Sequence, residues 1–337
     1  MSLDPAVAAV RLAVRRTLAE VDLPAGRSVV VACSGGADSL ALLAATVFET
    51  RRMPQRVIGV IVDHGLQDGS AEHTASVVAQ MIRLGADETG SVRVQVETDG
   101  HGTEAAAREA RYAVLEEIAG RLGAGTVLLG HTLDDQAETA LLGLARGSGG
   151  RSIAGMRPGF GVFRRPLLGI RRAQTEAACA AEDITSWTDP HNSDPRFTRA
   201  RVRHSVLPVL ERELGPGVAE TLARTAEQLR PDMAALDRLA DAALARHLHA
   251  GAGTRTGPGF DVREVADLEQ AVRTRMLRLA ALSAGCPPSE LFAVHVDALE
   301  QQVHNHEKLP KQIQLPGHVT AYRQGDHLWF GATSVES

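Results

Sequence analysis

Along the first 145 residues, short apolar runs alternate with longer stretches in which apolar positions recur every three or four residues. The spacing predicts an amphipathic helix over 6–20, a strand over 28–33 and a helix over 40–48. A second apolar strand is expected at 56–62, then a helix at 71–84, a strand at 91–97 and a long helix at 103–122 with Thr103 as its N-cap. A fourth short strand at 126–129 leads into a helix over 134–145. Strands alternating with helices indicate an α/β fold, a doubly wound parallel sheet covered on both faces. The pattern then changes. Residues 147–161 are glycine-rich without a period and read as a mobile loop. Residues 173–182 read as helix, and 187–199, with two Asp-Pro steps, as loop. Residues 218–248 read as one or two alanine-rich helices, 251–259 as a glycine/proline linker, 262–284 and 288–304 as helices, and 311–330 as a hairpin. This organisation predicts a larger α/β domain over 1–215 and a smaller, mostly helical domain with a terminal hairpin over 216–337. The length of 337 residues agrees with two domains.

Composition narrows the class. A hydrophobic content of 44% is ordinary for a globular chain, and no window holds about 18 uninterrupted apolar residues, so no membrane span is expected. The start, Met1-Ser-Leu-Asp, has no basic segment followed by an apolar core, so a cytoplasmic location is expected. Cys33, Cys179 and Cys286 lie far apart and form no C-x-x-C pair, which argues against a disulfide framework, a zinc knuckle or an iron–sulfur site. The net charge of −5 does not announce a nucleic-acid binder. Its distribution does more: twelve arginines lie between Arg146 and Arg212, against half as many acids. Such a field can hold phosphates, or it can be a set of solvated helix faces.

The candidate chemistry gathers where strands end. Polar or glycine residues follow three of the expected strands, at 34–39, 63–65 and 130–135. Ligands of parallel sheets bind beyond the carboxyl ends of strands, so these segments point to one shared site. Ser34-Gly35-Gly36-Ala37-Asp38-Ser39 is a glycine pair flanked by serines at a strand-to-helix turn. Its backbone N–H groups, its hydroxyls and the helix start can cradle a phosphate. Asp38 would repel a polyphosphate unless Mg²⁺ sat between them, so the turn indicates nucleotide plus magnesium. It is neither G-x-x-x-x-G-K-[ST] nor G-x-G-x-x-G. In Gly130-His131-Thr132-Leu133-Asp134-Asp135-Gln136-Ala137-Glu138-Thr139, the residues His131, Asp134, Asp135 and Glu138 crowd one helix start. They can hold a metal or an ammonium group, or the acids can be simple caps. Glu104, Arg108 and Arg111 share a helical stripe ahead of Tyr112, as a surface ion pair or as arginines reaching a phosphate. Arg199 and Arg203 fall on one helix face and, with Arg201, fit RNA or triphosphate contacts; Trp187 reads as a packing anchor.

The turn at 34–39 resembles the Ser-Gly-Gly-x-Asp-Ser motif of the PP-loop ATP pyrophosphatases, which cleave ATP between the α and β phosphates. With VDHGLQ, EAAAREARY, GHTLDDQAET, RGSGG, RRPLL, WTDPHN and TRARVRHSVLPVL following in order, the stretch from Val29 to Leu210 resembles the tRNA(Ile)-lysidine synthases. That resemblance implies adenylation of the C2 oxygen of the wobble cytidine in an isoleucine tRNA with anticodon CAU. The ε-amine of L-lysine then displaces AMP. ATP binding falls to Ser34, Gly35, Gly36, Ala37, Asp38, Ser39, Val62 and His64, with Asp38 carrying Mg²⁺. Asp38, Arg108, Arg111, His131 and Asp135 are implied as catalytic, Asp134, Asp135 and Glu138 as lysine-binding, and Arg146, Arg199, Arg201 and Arg203 as tRNA- or phosphate-binding. A homodimer is compatible with the resemblance. Two positions depart from the family pattern: Gln67 stands where Arg is usual, and Thr132 where a second His is frequent. Two rivals share the turn: another AMP-forming or sulfur-inserting enzyme, for which paired cysteines are missing and a glutaminase domain does not fit in this chain, and a non-catalytic nucleotide sensor, which needs neither the acid cluster nor the arginine field.

Overall fold

Three consecutive valines explain the sheet. Val29 and Val31 of β1 (Ser28–Ala32) face one apolar cluster and Val30 faces another, so the strand is buried on both sides. The computed structural model describes residues 3–21, 23–63, 69–93, 103–147, 149–187, 194–250, 257–304 and 312–333; of 103–109 it describes the backbone alone. The first compact unit is Met1–Glu227 and the second Gln228–Ser337, a boundary later than position 215.

In the first unit, α1 (Pro5–Glu20) is capped by Asp4, whose Oδ1 accepts from the Ala6 N–H at 2.8 Å. β1 is followed by α2 (Ala37–Thr50), β2 (Val57–Asp63), α3 (Ser70–Arg83), β3 (Glu88–Arg93), α4 (Thr103–Arg121), β4 (Ala124–Leu129) and α5 (Leu133–Ala145). Beyond these come the short α6 (Gly150–Ile153), strands β5 (Gly159–Phe160) and β6 (Phe163–Arg164), a 3₁₀ turn at Pro166–Gly169, and α7 (Arg172–Ala181). The sheet order is β3-β2-β1-β4-β6-β5, parallel except for β5. Val7, Val10, Val14 and Leu18 of α1 join residues of α2, α3 and α7 over one face; Leu115 and Ala119 of α4 cover the other. The chain builds outward from β1 to β2 and β3, then returns to place β4 on the other side of β1. The gap beyond the ends of β1 and β4 is therefore a topological switch point, where α/β sheets bind ligands.

Two expectations need correction here. The third strand begins earlier than residue 91, because Ile58 and Gly59 pair with Glu88 and Thr89; its half-exposed edge position hides it from apolar pattern, and 94–97 lie outside the described residues. The glycine-rich stretch 147–161, expected as a loop, carries bonds and strand pairing over its described part. The Gln136 amide donates to Met156 O at 2.9 Å and accepts from Met156 N at 2.6 Å, and 159–160 pair with β6.

The unit continues with α8 (Thr198–Arg201), a π-helical turn at Val202–Val206 and α9 (Leu207–Leu214). The 30-residue α10 (Val218–His247) begins in the first unit and ends in the second. The second unit adds β7 (Gly259–Asp261), α11 (Val262–Ala266), α12 (Gln270–Ser283), α13 (Ala293–His304), β8 (Gln312–Leu315), β9 (Val319–Gln324) and β10 (His327–Ala332). Its sheet is antiparallel, in the order β7-β10-β9-β8, which is more than the expected hairpin. β7 contains residues assigned to the linker. Three residues are too few to show a period, and only pairing with β10 makes them a strand. The apolar face of this sheet and the helices bury Phe260, Met276, Leu277, Leu299, Leu328 and Phe330 in a separate core.

Candidate active site

The turn after β1 is held open by its neighbours. Gly35 sits at φ +85°, and a Cβ there would meet Val77 Cγ2 at 2.6 Å and His73 Cε1 at 2.9 Å, so only glycine fits. His73 Nε2 lies 3.0 Å from Ser34 O, and its ring packs against Trp187 with centroids 3.9 Å apart and planes tilted by 37°. The Trp187 N–H donates to Gly35 O at 2.9 Å, so Trp187 is indeed an anchor, and what it anchors is the turn. Ser39 donates its hydroxyl to Gly36 O at 2.9 Å and accepts from Ser34 N at 3.1 Å; this serine braces the loop from within. Gly36 differs from Gly35. A Cβ on it would approach no protein atom closer than 3.6 Å, so no protein neighbour requires a glycine there. Among the described residues, the N–H groups of Ala37 and Asp38 at the start of α2 have no backbone acceptor. A glycine that no protein neighbour crowds and unspent donors at a helix start fit an oxyanion.

Asp38 stands at the edge of this cradle. It accepts from the Thr175 hydroxyl through Oδ1 and from Arg172 Nε at 3.2 Å through Oδ2. Burial raises its pKa, Asp135 adds to the rise, and Arg172 and Thr175 oppose it.

The segment after β4 supplies the second half. A Cβ on Gly130 would lie 3.1 Å from Asp38 C and Ser39 N, so the end of β4 abuts the turn. Asp135 uses its two oxygens differently. Oδ2 accepts from Thr132 N at 2.8 Å and Thr132 Oγ1 at 3.0 Å, closing the start of α5. Oδ1 faces three guanidinium groups: Arg172 Nη2 at 3.0 Å, Arg203 Nη2 at 3.1 Å and Arg199 Nη2 at 3.6 Å. Glu138, with no solvent exposure, takes Arg203 Nε at 2.6 Å on Oε1 and Arg199 Nε at 2.8 Å on Oε2. Burial alone would push the Asp135 carboxyl up; Arg172, Arg199, the Thr132 N–H and His131 reverse this and bring it to about 2. Arg172 is held above the ordinary arginine value: burial opposes its charge, but Asp135, Asp38 and Glu138 outweigh it. Three acids, Asp38, Asp135 and Glu138, thus meet three arginines, Arg172, Arg199 and Arg203. Arg199 and Arg203 share one face, as their spacing of four predicts, at the junction of α8 with the π-helical turn.

Other candidates fall elsewhere. Asp134 accepts from Arg172 N at 2.7 Å and lies 3.4 Å from Arg171 Nη2, so it caps α7. Arg201 donates to Pro195 O at 2.7 Å, Arg196 O at 3.0 Å and Thr198 Oγ1 at 3.0 Å, away from the cluster. Arg146 is the exposed C-cap of α5, at the opposite end of that helix from Asp135. Val62 lies near the carboxyl end of β2. Arg111 lies on α4 beside Tyr112, and Arg108 on the same helix; the side chain of Arg108, with His64 and Gln67, lies outside the described residues. Sequence reasoning missed Arg172, Thr175 and Arg165. The signal was the arginine-rich stretch around Pro166-Leu167-Leu168, read there as general charge.

A PP-loop domain family matches residues 10–210, and the TilS substrate binding domain matches 260–329. The tRNA(Ile)-lysidine synthase of Thermobifida fusca is 52% identical, over 93% of this chain and 94% of its own length. The chain belongs to the tRNA(Ile)-lysidine synthase family. The synthase of Streptomyces coelicolor is 46% identical over 97% of this chain and 99% of its own. Among solved structures, the U34-tRNA thiolase NcsA from Methanococcus maripaludis aligns with TM-score 0.56 and 19% identity, covering 66% of this chain and 78% of that one, a likeness of fold. The sulfur-inserting rival finds no footing in the thiols here. Cys33, Cys179 and Cys286 are all buried, and burial pushes Cys33 and Cys179 up to about 12. As a member of an ATP-using ligase family, the chain is an enzyme, and the sensor reading falls. No described helix is long and apolar enough to cross a membrane.

Proposed function

We propose that this chain converts the wobble cytidine of tRNA(Ile) with anticodon CAU to lysidine, using ATP and L-lysine. The observation that carries the reading is the meeting of a phosphate cradle and a buried acid–arginine cluster at one switch point, within a chain of this family. In the first step the cytidine C2 oxygen attacks the α-phosphorus of ATP and pyrophosphate leaves. In the second, the lysine ε-amine attacks C2, AMP leaves with the C–O bond electrons, and the amine gives up a proton.

Ser34, Gly35, Gly36, Ala37 and Ser39 form the cradle, with the free N–H groups of Ala37 and Asp38 as donors; nucleotide binding is assigned also to Val62 and His64. A hard oxygen donor beside a phosphate cradle suits Mg²⁺, and Asp38 would hold it with phosphate oxygens. The ion would neutralise charge on the leaving pyrophosphate. Arg108 and Arg111 are assigned to the nucleotide or the transition state, and Arg146, Arg199, Arg201 and Arg203 to the tRNA or its phosphates. Lysine entry follows from charge. Asp135 and Glu138 are already saturated by guanidinium groups, so an ammonium reaches them only as an arginine turns toward phosphate. Bound nucleotide would draw Arg172 and Arg199 outward, freeing Asp135 and Glu138, with Asp134 nearby, to bind the amine and help remove its proton.

The deciding experiment is ATP-dependent incorporation of labelled L-lysine into tRNA(Ile) with anticodon CAU, with a CAU methionine tRNA as control. Label in the isoleucine tRNA alone is expected. No label in either, with RNA-dependent pyrophosphate release intact, would reassign the nucleophile. Light scattering checks for a homodimer, and cell fractionation for the cytoplasm.

A further inference from the structure

Arg165 is 6% exposed, and among the described residues no carboxylate lies within ion-pair distance of it. Its hydrogen-bond and ring partners among the described residues are neutral: Nη1 donates to Arg157 O at 2.6 Å, Nη2 to Tyr112 Oη at 3.0 Å, and its guanidinium lies 4.9 Å from the Phe160 ring centre. The third nitrogen, Nε, donates toward His131 Nδ1 at 3.3 Å. Strand pairing brings them together. β4 and β6 run parallel with Leu128 opposite Arg164, so His131 and Arg165 leave the carboxyl ends of adjacent strands. A guanidinium N–H has no lone pair to offer. The ring nitrogen facing it must be the unprotonated one, and the hydrogen of a neutral imidazole must sit on Nε2.

We propose that Arg165 is a positioning residue that holds His131 as the neutral Nε2–H tautomer, so that His131 serves the reaction as a fixed hydrogen-bond donor to a nucleotide phosphate oxygen and not as a proton shuttle. Two further observations support it. Gly130, immediately before His131, abuts the Asp38–Ser39 backbone of the phosphate turn, so the ring stands beside the place where phosphate binds. A buried guanidinium with neutral partners also leaves positive potential on that side of the site, which favours an anion and disfavours a second cation on the imidazole. From α5, Asp135 acts on the ring in the opposite sense, but its charge is shared among Arg172, Arg199 and Arg203. An arginine is needed because a lysine has no N–H at the Nε position of the fork.

The inference rests on the lysidine-synthase reading only for the phosphate acceptor, and the test separates the two. Nitrogen-15 spectra of the histidine-labelled full chain report the tautomer without turnover, with His131 assigned by loss of its signal in His131→Gln. The neutral Nε2–H form is expected at pH 7, and Arg165→Gln should introduce the Nδ1–H form or the imidazolium. An Nδ1–H tautomer or imidazolium in the unaltered protein, or an unchanged His131 signal in the variant, overturns the proposal. If Arg165→Gln does not hold the fold, judged by its other histidine signals, Arg165→Lys is measured by the same criterion. RNA-dependent pyrophosphate release tests the donor role. The amide of His131→Gln can replace an Nε2–H donor but carries no titrating proton, so it should stay within about 10-fold of normal, while His131→Ala falls about 100-fold. Equal losses in both would assign His131 a proton-transfer role and overturn the donor assignment.

Discussion

Asp135 shows how one side chain answers two readings at once. Its Oδ2 closes the start of α5 on Thr132, and its Oδ1 meets the arginines. The capping expectation accounts for one oxygen of Asp135, and the other faces guanidinium groups. Thr132, a departure from the family pattern, supplies the hydroxyl of that cap. Because the folded-state pKa of Asp135 is depressed to about 2, its contribution is present above the unfolded value near 4 and is lost as pH falls through 2. It amounts to about 2 kcal/mol at pH 7. Denaturant titrations of Asp135→Asn against the unaltered protein should show that difference at pH 7 and see it shrink by pH 3. Asp38 carries the opposite sign. Its folded pKa is raised, so the ion costs stability at neutral pH and the cost vanishes as pH falls below the unfolded value. Asp38→Asn should accordingly melt no more than a few degrees below the unaltered protein, while pyrophosphate release falls by about 100-fold or more.

At the scale of the element, the turn between β1 and α2 contains two glycines with different physics. Gly35 is required by the protein itself, through a left-handed φ and the packing of Val77 and His73. At Gly36 an added methyl group would make only ordinary contacts with the protein, so any cost of filling it falls on a ligand in the cradle. Gly35→Ala should therefore destabilise the first unit by at least about 1–2 kcal/mol, whereas Gly36→Ala should keep the melting temperature and raise the KM for ATP. Thermal melts and ATP titrations of the pair check this; equal stability losses would contradict it. The turn was legible in the sequence because a β-branched run, two glycines and a helix start are local signals. The brace around it was not: His73 and Trp187 reach Gly35 from positions far along the chain, and neither has a local pattern that announces it. Arg172 was hidden for the same reason. It lies 134 residues from Asp38 and 37 from Asp135, and only the docking of α7 brings it between them.

At the scale of the whole molecule, each unit has its own core, and the second contains a costly pair of its own. Arg273, 6% exposed, joins Glu300 Oε1 at 2.6 Å through Nη2 and donates to the backbone at Ala266 and Leu268, tying α12 to α13. Removing the carboxylate leaves a buried cation, worth about 3–5 kcal/mol. Calorimetry of Glu300→Ala should show a lowered transition for the second unit and an unmoved one for the first. A single transition shifted as a whole would mean that the units unfold together.

What the sequence determined by itself was whatever lies within a few residues or repeats at a regular period. It specified the alternation that makes a doubly wound sheet, the phosphate turn, the acids at the start of α5, and Arg199 and Arg203 on one face. The tertiary structure alone decided what each of these groups faces. Asp134 and Arg201, equal to their neighbours in the motif, were assigned to backbone and loop; Arg172 and Arg165, lost in a field of arginines, were placed against carboxylates and an imidazole. The reason is physical: a charge takes its role from the partner it is buried with, and that partner is supplied by strand order and helix docking across distances that no local pattern spans.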